Sequence, residues 1–297
     1  MRWKKYGVII EMTGITQKQT AKILADYFHT SFEYTSDNSS YLVMDNQNRK
    51  WLVELPQEVM AEKMFGDKRI KTSGLFRSKL ITPLIYENDF NKVGDVLEKI
   101  EDRGGLTNES TSMEILIDTA GIESSNKFTD NLIRLQSSKK DLICRALQLE
   151  GCRELIDLSK VEENGIVKFS DFKSSISGKA VKGYVQFCQA ISNYADTTSS
   201  LKDKPNSSQN DKFVMRTFLV RIGMLGKEFS ESRKMFTEHL KGDSAWVSKV
   251  DVETKNGIPI GQAVEQEANV ESVRGIDEEE TKQEGDIEQE DMGIQFC

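Results

Sequence analysis

The stretch Tyr6-Gly7-Val8-Ile9-Ile10-Glu11-Met12-Thr13-Gly14-Ile15 determines how the rest of the chain is interpreted. It is apolar and rich in β-branched residues, which is typical of a buried strand, and it ends in a Thr-Gly turn. Thr16 then matches a helix N-cap, with Gln19 at the reciprocal position of a capping box. Glu11 is the exception, because a carboxylate in a buried strand is costly unless it is paired. A bound metal could supply that partner; a partly exposed position near the strand end is the simpler alternative.

The same stretch resembles the opening of the amidoligase family, whose first strand reads Gly-Val-Glu-Ile-Glu-Met. That family, related to glutamate–cysteine ligase and glutamine synthetase, joins a carboxylate to an amine with ATP and with Mg2+ held by strand carboxylates. The resemblance implies an α+β fold of the glutamine-synthetase/glutamate–cysteine-ligase type: a largely antiparallel sheet backed by helices, with a helical C-terminal part. Glu11 keeps the second family glutamate, whereas Ile9 replaces the first.

Two further segments resemble family motifs in the first half of the chain. Residues 78–86 resemble Val-Glu-Leu-Val-Thr-Pro-Ile-Leu and keep Thr82-Pro83, but Lys79 replaces the glutamate that would meet a metal or a nucleotide phosphate. Residues 48–51 resemble Gly-Arg-Lys-Trp, with Asn48 in place of the glycine. The features kept here are those that determine a fold, and the feature lost is one that performs chemistry.

The next motif, in residues 113–119, alternates apolar and polar residues and predicts a core strand. It resembles Gly-Ile-His-Ile-His-Val-Asp, in which two histidines point into the family site. Glu114 and Leu116 replace these histidines, and Asp118 stands at the end. Glu114 and Asp118 are therefore the polar groups expected on that face of the strand.

Residues 165–177 carry the last strand motif and resemble Gly-Thr-Val-Glu-Phe-Arg-Leu-Phe-Asn-Ser-Thr. Lys168, Ser170 and Lys173 replace its glutamate, arginine and asparagine. The resemblance extends, with gaps, from about residue 5 to 247, and it implies one sheet containing segments 5–12, 78–86, 113–119 and 165–173. It also implies a pocket that has lost its catalytic groups, here called the vestigial pocket: Glu11, Lys79, Glu114, Asp118, Lys168 and Ser170.

Charge divides the chain into two parts. Residues 251–297 contain 14 acidic and three basic residues, a net charge of −11, whereas residues 1–250 contain 34 acidic and 37 basic residues, a net charge of +3. The acidic segment also lacks hydrophobic periodicity. We therefore predict an amidoligase-like domain over residues 1–250 and a disordered acidic tail over residues 251–297.

The segments between the motifs are less clearly marked. Residues 58–65 suggest a short helix, and residues 68–74 an exposed basic loop. Residues 125–149 suggest one broken helix or two successive ones, the second beginning at a capping box formed by Ser138 and Asp141. The four cysteines lack C-x-x-C spacing, so buried reduced thiols are expected rather than zinc ligands or disulfides.

Several classes of function are disfavoured by the sequence. It has neither a run of about 18 apolar residues nor an N-terminal signal pattern, which predicts a soluble cytoplasmic protein with no membrane partner. No cluster of basic and aromatic residues in the body indicates nucleic acid. With only two histidines and no Gly-rich phosphate loop or nucleophile elbow, nucleophilic catalysis is also unsupported.

The leading hypothesis is a catalytically degenerate amidoligase-like protein that binds a protein partner and needs no cofactor. This hypothesis assigns no catalytic residues, because two lysines stand where carboxylates should hold divalent cations. Relatives of this kind often travel on phages, plasmids and integrated elements, so the resemblance also implies interference with a host system. The alternative is an active ligase that uses ATP and Mg2+ through a rearranged set of carboxylates: Glu11, Glu54, Glu114 and Asp118.

Overall fold

The computed structural model describes residues 4–36, 39–122, 125–149, 155–159, 161–201 and 210–242. These belong to one compact unit, Met1–Ser248. The predicted acidic tail, residues 251–297, lies outside the described residues.

A large antiparallel sheet organises the unit. Its eight described strands are arranged in the order β2-β3-β4-β7-β1-β8-β10-β9, so the opening strand β1 is near the centre. A separate pair, β5 and β6, forms a small hairpin outside this sheet. The strands are β1 (Tyr6–Thr13), β2 (Phe32–Thr35), β3 (Ser40–Met44), β4 (Lys50–Glu54), β5 (Glu62–Phe65), β6 (Lys68–Lys71), β7 (Arg77–Ile81), β8 (Ser112–Asp118), β9 (Ile156–Asp157) and β10 (Ile166–Lys173).

Helices cover one face of this sheet. The side chains that β1 turns toward them are fully buried and alternate along the strand, as the period of two requires. The capping box predicted at Thr16 and Gln19 opens the first helix. The helices are α1 (Gln17–Phe28), α2 (Phe90–Asp102), α3 (Ser125–Ala146), α4 (Val161–Asn164), α5 (Gly178–Thr197), α6 (Asp211–Arg221) and α7 (Ser230–Thr237), with two 3-10 turns at Glu87–Asp89 and Lys227–Phe229.

The α+β class and the largely antiparallel sheet backed by helices are confirmed. Strands β1, β7, β8 and β10 belong to the same sheet, as the motifs predicted. The retained Thr82-Pro83 pair has a structural role there. Thr82 is buried; its N–H donates to the Val8 carbonyl at 3.0 Å, and its hydroxyl accepts from the Val8 N–H at 2.8 Å. The proline that follows has no N–H and cannot extend the ladder.

Two local predictions are wrong. The segment expected to contain a short helix and a basic loop instead forms the β5–β6 hairpin, turning at Gly66 and Asp67. Its residues bury no continuous face, so hydrophobic periodicity could not reveal it. The expected break near Ser138 is also absent, because α3 is continuous and the Ser138 hydroxyl donates to the Leu135 carbonyl within the helix.

The cysteine prediction is right for Cys188, a buried free thiol in α5, and wrong for Cys144, which is disulfide-bonded. Disulfide formation depends on the spatial proximity of two Cα atoms, which sequence spacing does not reveal. No helix in the described part of the chain combines the length and the apolar character needed to cross a bilayer.

Candidate functional site on the open face of the sheet

The face of the sheet turned away from the helices carries the candidate site. On β1, Ile9 and Glu11 are partly exposed and alternate with buried residues. The same alternation sets Lys79 on β7, Glu114 on β8 and Lys168 on β10 on this face. We call it the open face.

Strand register brings the predicted residues into neighbouring rows. Glu11 is directly opposite Lys79, and Leu116 is directly opposite Lys168. Asp118 pairs with Ile166 at the end of β8, and Ser170 lies in an irregularity of β10 where the register shifts. The open face thus collects Glu11, Lys79, Glu114 and Lys168, with Asp118 and Ser170 at its margins.

Lys168 is the most heavily engaged cation on the open face. Its Nζ lies 3.3 Å from Glu114 Oε1 and 3.4 Å from Asp157 Oδ2 on β9. Burial alone would lower the pKa of Lys168, but the two carboxylates outweigh it and raise this pKa above its usual value. The pKa of Asp157 is lowered, first by hydrogen bonds from Ser159 and then by Lys168. Lys168 therefore remains a charged ammonium group at neutral pH.

Lys79 is paired in the same manner on the other side of β1. Its Nζ lies 2.6 Å from Glu54 Oε2 on β4, and the two residues are directly opposite each other in the sheet. Each side chain is about one-quarter to one-third exposed, at 27% and 31%. The lysine thus pairs with Glu54 across the strand interface, although Glu11 is its opposite residue on the other neighbour.

The remaining carboxylates bind N–H and hydroxyl groups. Glu11 Oε2 accepts from the Ser112 N–H at 3.0 Å and from the Ser112 hydroxyl at 2.8 Å. Asp118 Oδ1 accepts from the Ala120 N–H at 2.9 Å, which closes a local turn. Glu11 is therefore partly exposed and satisfied within the protein, as the simpler sequence alternative predicted.

A cavity of about 950 Å³ opens beside Ser112, the partner of Glu11. The β5–β6 hairpin forms one wall, the loop after Leu106 another, and the end of β10 a third. Its polar lining includes the acidic residues Glu62 and Asp171, the basic residues Arg69 and Lys173, and the neutral amide Asn108. Lys173, which stands where the family motif has asparagine, thus belongs to this cavity rather than to the lysine pairs.

The arrangement does not fit the Mg2+ that the family chemistry requires. Among the described residues, no three Asp, Glu, His or Cys side chains come together as a metal-binding group. Glu54 and Glu114 instead direct oxygen atoms at lysine ammonium groups. Magnesium needs several oxygen ligands in a near-octahedral shell, and an ammonium group at that position excludes it.

Comparison with known families adds independent information. The family model described as "Putative amidoligase enzyme" matches residues 2–175, more than half of the chain. The chain belongs to the amidoligase family. No curated protein and no solved structure gives a significant match. The match includes all the described strands and ends before α5, so the resemblance drawn for the later helices is outside the matched region.

Sequence reasoning missed Asp157 as a member of the candidate site. It lies between α3 and β10, in a segment to which no motif was assigned, on a strand of two residues. The signal was the Leu155-Ile156-Asp157 run, in which two buried apolar residues precede a partly exposed acid. Glu54 was named only under the active-ligase alternative, and the motifs gave no reason to pair it with Lys79.

Proposed function

We propose that this amidoligase-family protein is catalytically degenerate and acts by binding a macromolecular partner. The observation that carries the proposal is the pairing of Lys79 with Glu54 and of Lys168 with Glu114 and Asp157. ATP-dependent ligation needs carboxylates that are free to bind metal ions. Here three carboxylates neutralise lysine side chains instead.

The electrostatic argument can be given a magnitude. A divalent cation about 5 Å from an ammonium group is repelled by roughly 6–7 kcal/mol at an effective dielectric constant of about 20. Moving the lysines away would also cost free energy, because their carboxylate partners would lose the cations that neutralise them. Both effects oppose formation of a Mg2+–nucleotide complex on the open face.

The competing function is an active ligase that uses Glu11, Glu54, Glu114 and Asp118 with ATP and Mg2+. Family membership is the observation in its favour. It requires Lys79 and Lys168 to leave their partners when nucleotide binds, and it requires Glu11 to give up two hydrogen bonds from Ser112. The proposal of a catalytically degenerate protein requires no such rearrangement.

Calorimetric titration with ATP and Mg2+ separates the two. We expect no binding tighter than about 1 mM, which corresponds to roughly 4 kcal/mol. Micromolar binding that Glu11→Gln abolishes and Glu33→Gln leaves intact would overturn the proposal. Glu33 is a suitable control because it is an exposed glutamate on β2.

The kind of partner follows from family character rather than from geometry. Because related families travel on phages, plasmids and other mobile elements, we include interference with a host system in the proposal. On this view the vestigial pocket is structural, and an outer surface of the protein contacts the partner. The absence of any effect on a host after expression of the full chain would count against this part alone.

A further inference from the structure

The β5–β6 hairpin presents two different faces. In its register Lys63 is opposite Ile70, and Phe65 is opposite Lys68. Directly opposed residues point to the same side of a two-stranded sheet, as do residues two apart. Lys63, Phe65, Lys68 and Ile70 therefore share one side, which we call the outer hairpin face.

The opposite side fixes the hairpin to the body of the protein. Asn108 Nδ2 donates to Glu62 Oε2 at 3.0 Å, and Arg69 Nη1 donates to the Thr107 carbonyl at 3.0 Å. The Thr13 hydroxyl at the end of β1 also accepts from the Glu62 N–H at 2.8 Å. An isolated two-stranded hairpin is only marginally stable in water, so these contacts hold it in one orientation. On the outer hairpin face Phe65, Lys68 and Ile70 remain exposed, whereas Lys63 packs partly against the ring of Phe76.

Exposed apolar side chains are concentrated at this place. Phe65 at the hairpin tip is 74% exposed and Ile70 is 38% exposed, and Leu75 just beyond the hairpin is 66% exposed. Large apolar groups gathered on a surface commonly mark an interaction site. Aromatic residues are also enriched among those that dominate binding energy at protein interfaces.

The two cations of the outer hairpin face differ in exposure: Lys68 is exposed, whereas Lys63 is half-buried. No described carboxylate forms an ion pair with Lys63 or Lys68; the contact made by Lys63 is with the ring of Phe76, whose centroid is 5.2 Å from its Nζ. On this face each lysine lies directly opposite an apolar residue and diagonally across from the other lysine. A complementary surface would carry carboxylates interspersed with apolar side chains.

We propose that the outer hairpin face docks an acidic segment of a partner protein that also carries apolar side chains. Two outward lysines are too few for phosphate-driven nucleic-acid binding, which rests on many neutralised phosphates. They also fall short of the four to eight basic residues typical of clusters that bind anionic lipid. Phe65 and Ile70 supply the apolar half of the interaction, and Lys63 and Lys68 fix its charge.

This inference rests on the proposed function in taking a protein as the partner, but the two can fail separately. Micromolar ATP–Mg2+ binding would overturn catalytic degeneracy without involving the hairpin. Binding at the hairpin can likewise be measured whether or not the open face binds nucleotide.

The test uses the full chain and a fluorescent twelve-residue peptide that alternates glutamate with valine, measured by anisotropy at low salt. We expect binding that weakens at least about tenfold in Phe65→Ser/Lys68→Glu. The same peptide with glutamine for glutamate should also bind at least about tenfold more weakly. Phe65→Gln is a milder second variant, which should fold normally because the side chain is exposed.

The matched control is Leu225→Ser/Lys227→Glu, which makes the same types of change at exposed positions far along the chain. It should bind as the unaltered protein does. A lack of measurable peptide binding, or equal weakening in the control, would overturn the proposal. Tighter hairpin-dependent binding of a thymidine oligonucleotide or of phosphatidylserine vesicles would overturn it too, in favour of a different class of partner.

Discussion

Lys168 connects three adjacent strands through one side chain. It projects from β10, and its ammonium group contacts Glu114 on β8 and Asp157 on β9. All three side chains are less than one-third exposed, so the interaction is screened less than a fully exposed ion pair. Without the lysine, two carboxylates would face each other with no cation between them. Like charges at such a distance are unfavourable, and each would also lose a charge-assisted hydrogen bond.

Replacing Lys168 with methionine keeps the aliphatic length and removes the charge. We expect Lys168→Met to lower the free energy of unfolding by about 1–2 kcal/mol, measured by urea denaturation at pH 7. Lys179→Met is the control, because its ion pair with Glu231 is about 80% exposed, at 82% and 78%, and should contribute almost nothing. Equal stability of the two variants would contradict a structural role for Lys168.

The difference in the free energy of unfolding between the unaltered protein and Lys168→Met should also depend on pH. The lowered pKa of Asp157 means that its stabilisation is present above its ordinary value of 3.8 and is lost as pH falls through the folded-state pKa. The raised pKa of Lys168 means that its stabilisation is present below 10.5 and is lost as pH rises through the folded-state pKa. The gap between the unaltered protein and Lys168→Met should be widest between these limits. It should narrow in urea denaturation at about pH 3 and pH 11.

At the scale of elements, the β3–β4 turn explains one departure from the family motif. Asn48 stands where the family has glycine, and it adopts a left-handed conformation with φ +57°. Asparagine tolerates this region better than other non-glycine residues, so the turn is kept without the glycine. This departure therefore keeps the backbone conformation of the turn. The departures at Lys79 and Lys168 instead change the charge of the open face.

Substitutions at this turn should follow backbone conformation. We expect Asn48→Gly to leave the free energy of unfolding within about 0.5 kcal/mol and Asn48→Val to lower it by about 1–2 kcal/mol. Thermal denaturation monitored by circular dichroism would measure both. Gln47→Val, at a neighbouring turn residue without positive φ, should be well tolerated. A Gln47→Val cost equal to that of Asn48→Val would refute the conformational explanation.

The predictable elements were those with a buried face. Strands β1, β8 and β10 pack against one core, so apolar residues in β1, alternation in β8 and the motif of β10 could locate them. The β5–β6 hairpin buries little and is rich in charge, so its pattern resembled a loop. In α3 the Ser138-x-x-Asp141 pattern resembled a helix start, although the helix continues through it.

Across the whole molecule, the sequence indicated which residues share the open face, but not which carboxylate each lysine contacts. Motif positions identified Glu11, Lys79, Glu114 and Lys168 as neighbours because a strand motif fixes which face a residue occupies. Which carboxylate each lysine selects depends on strand order and register. Lys79 pairs with Glu54 because β4 lies beside β7, an adjacency that no local pattern reveals.

The uneven distribution of charge leads to an expectation for the acidic tail. Residues 251–297 carry a net charge of −11 and show no hydrophobic periodicity. Their removal should therefore leave the melting temperature of the remaining protein nearly unchanged. Differential scanning calorimetry of the chain ending at residue 250 would measure this. A fall of more than about 4 °C, worth on the order of 1–2 kcal/mol, would contradict it.

The lysine pairs also restrict the evolutionary routes by which this face could acquire the carboxylates of the family motifs. Changing Lys168 alone to glutamate would bring a third carboxylate beside Glu114 and Asp157 with no cation among them. Changing Lys79 alone to glutamate would likewise set it against Glu54. Each single substitution would lower the stability of the fold before any ligand could compensate for it. If the protein is catalytically degenerate as proposed, a ligase site could therefore form on this face only through several substitutions at once.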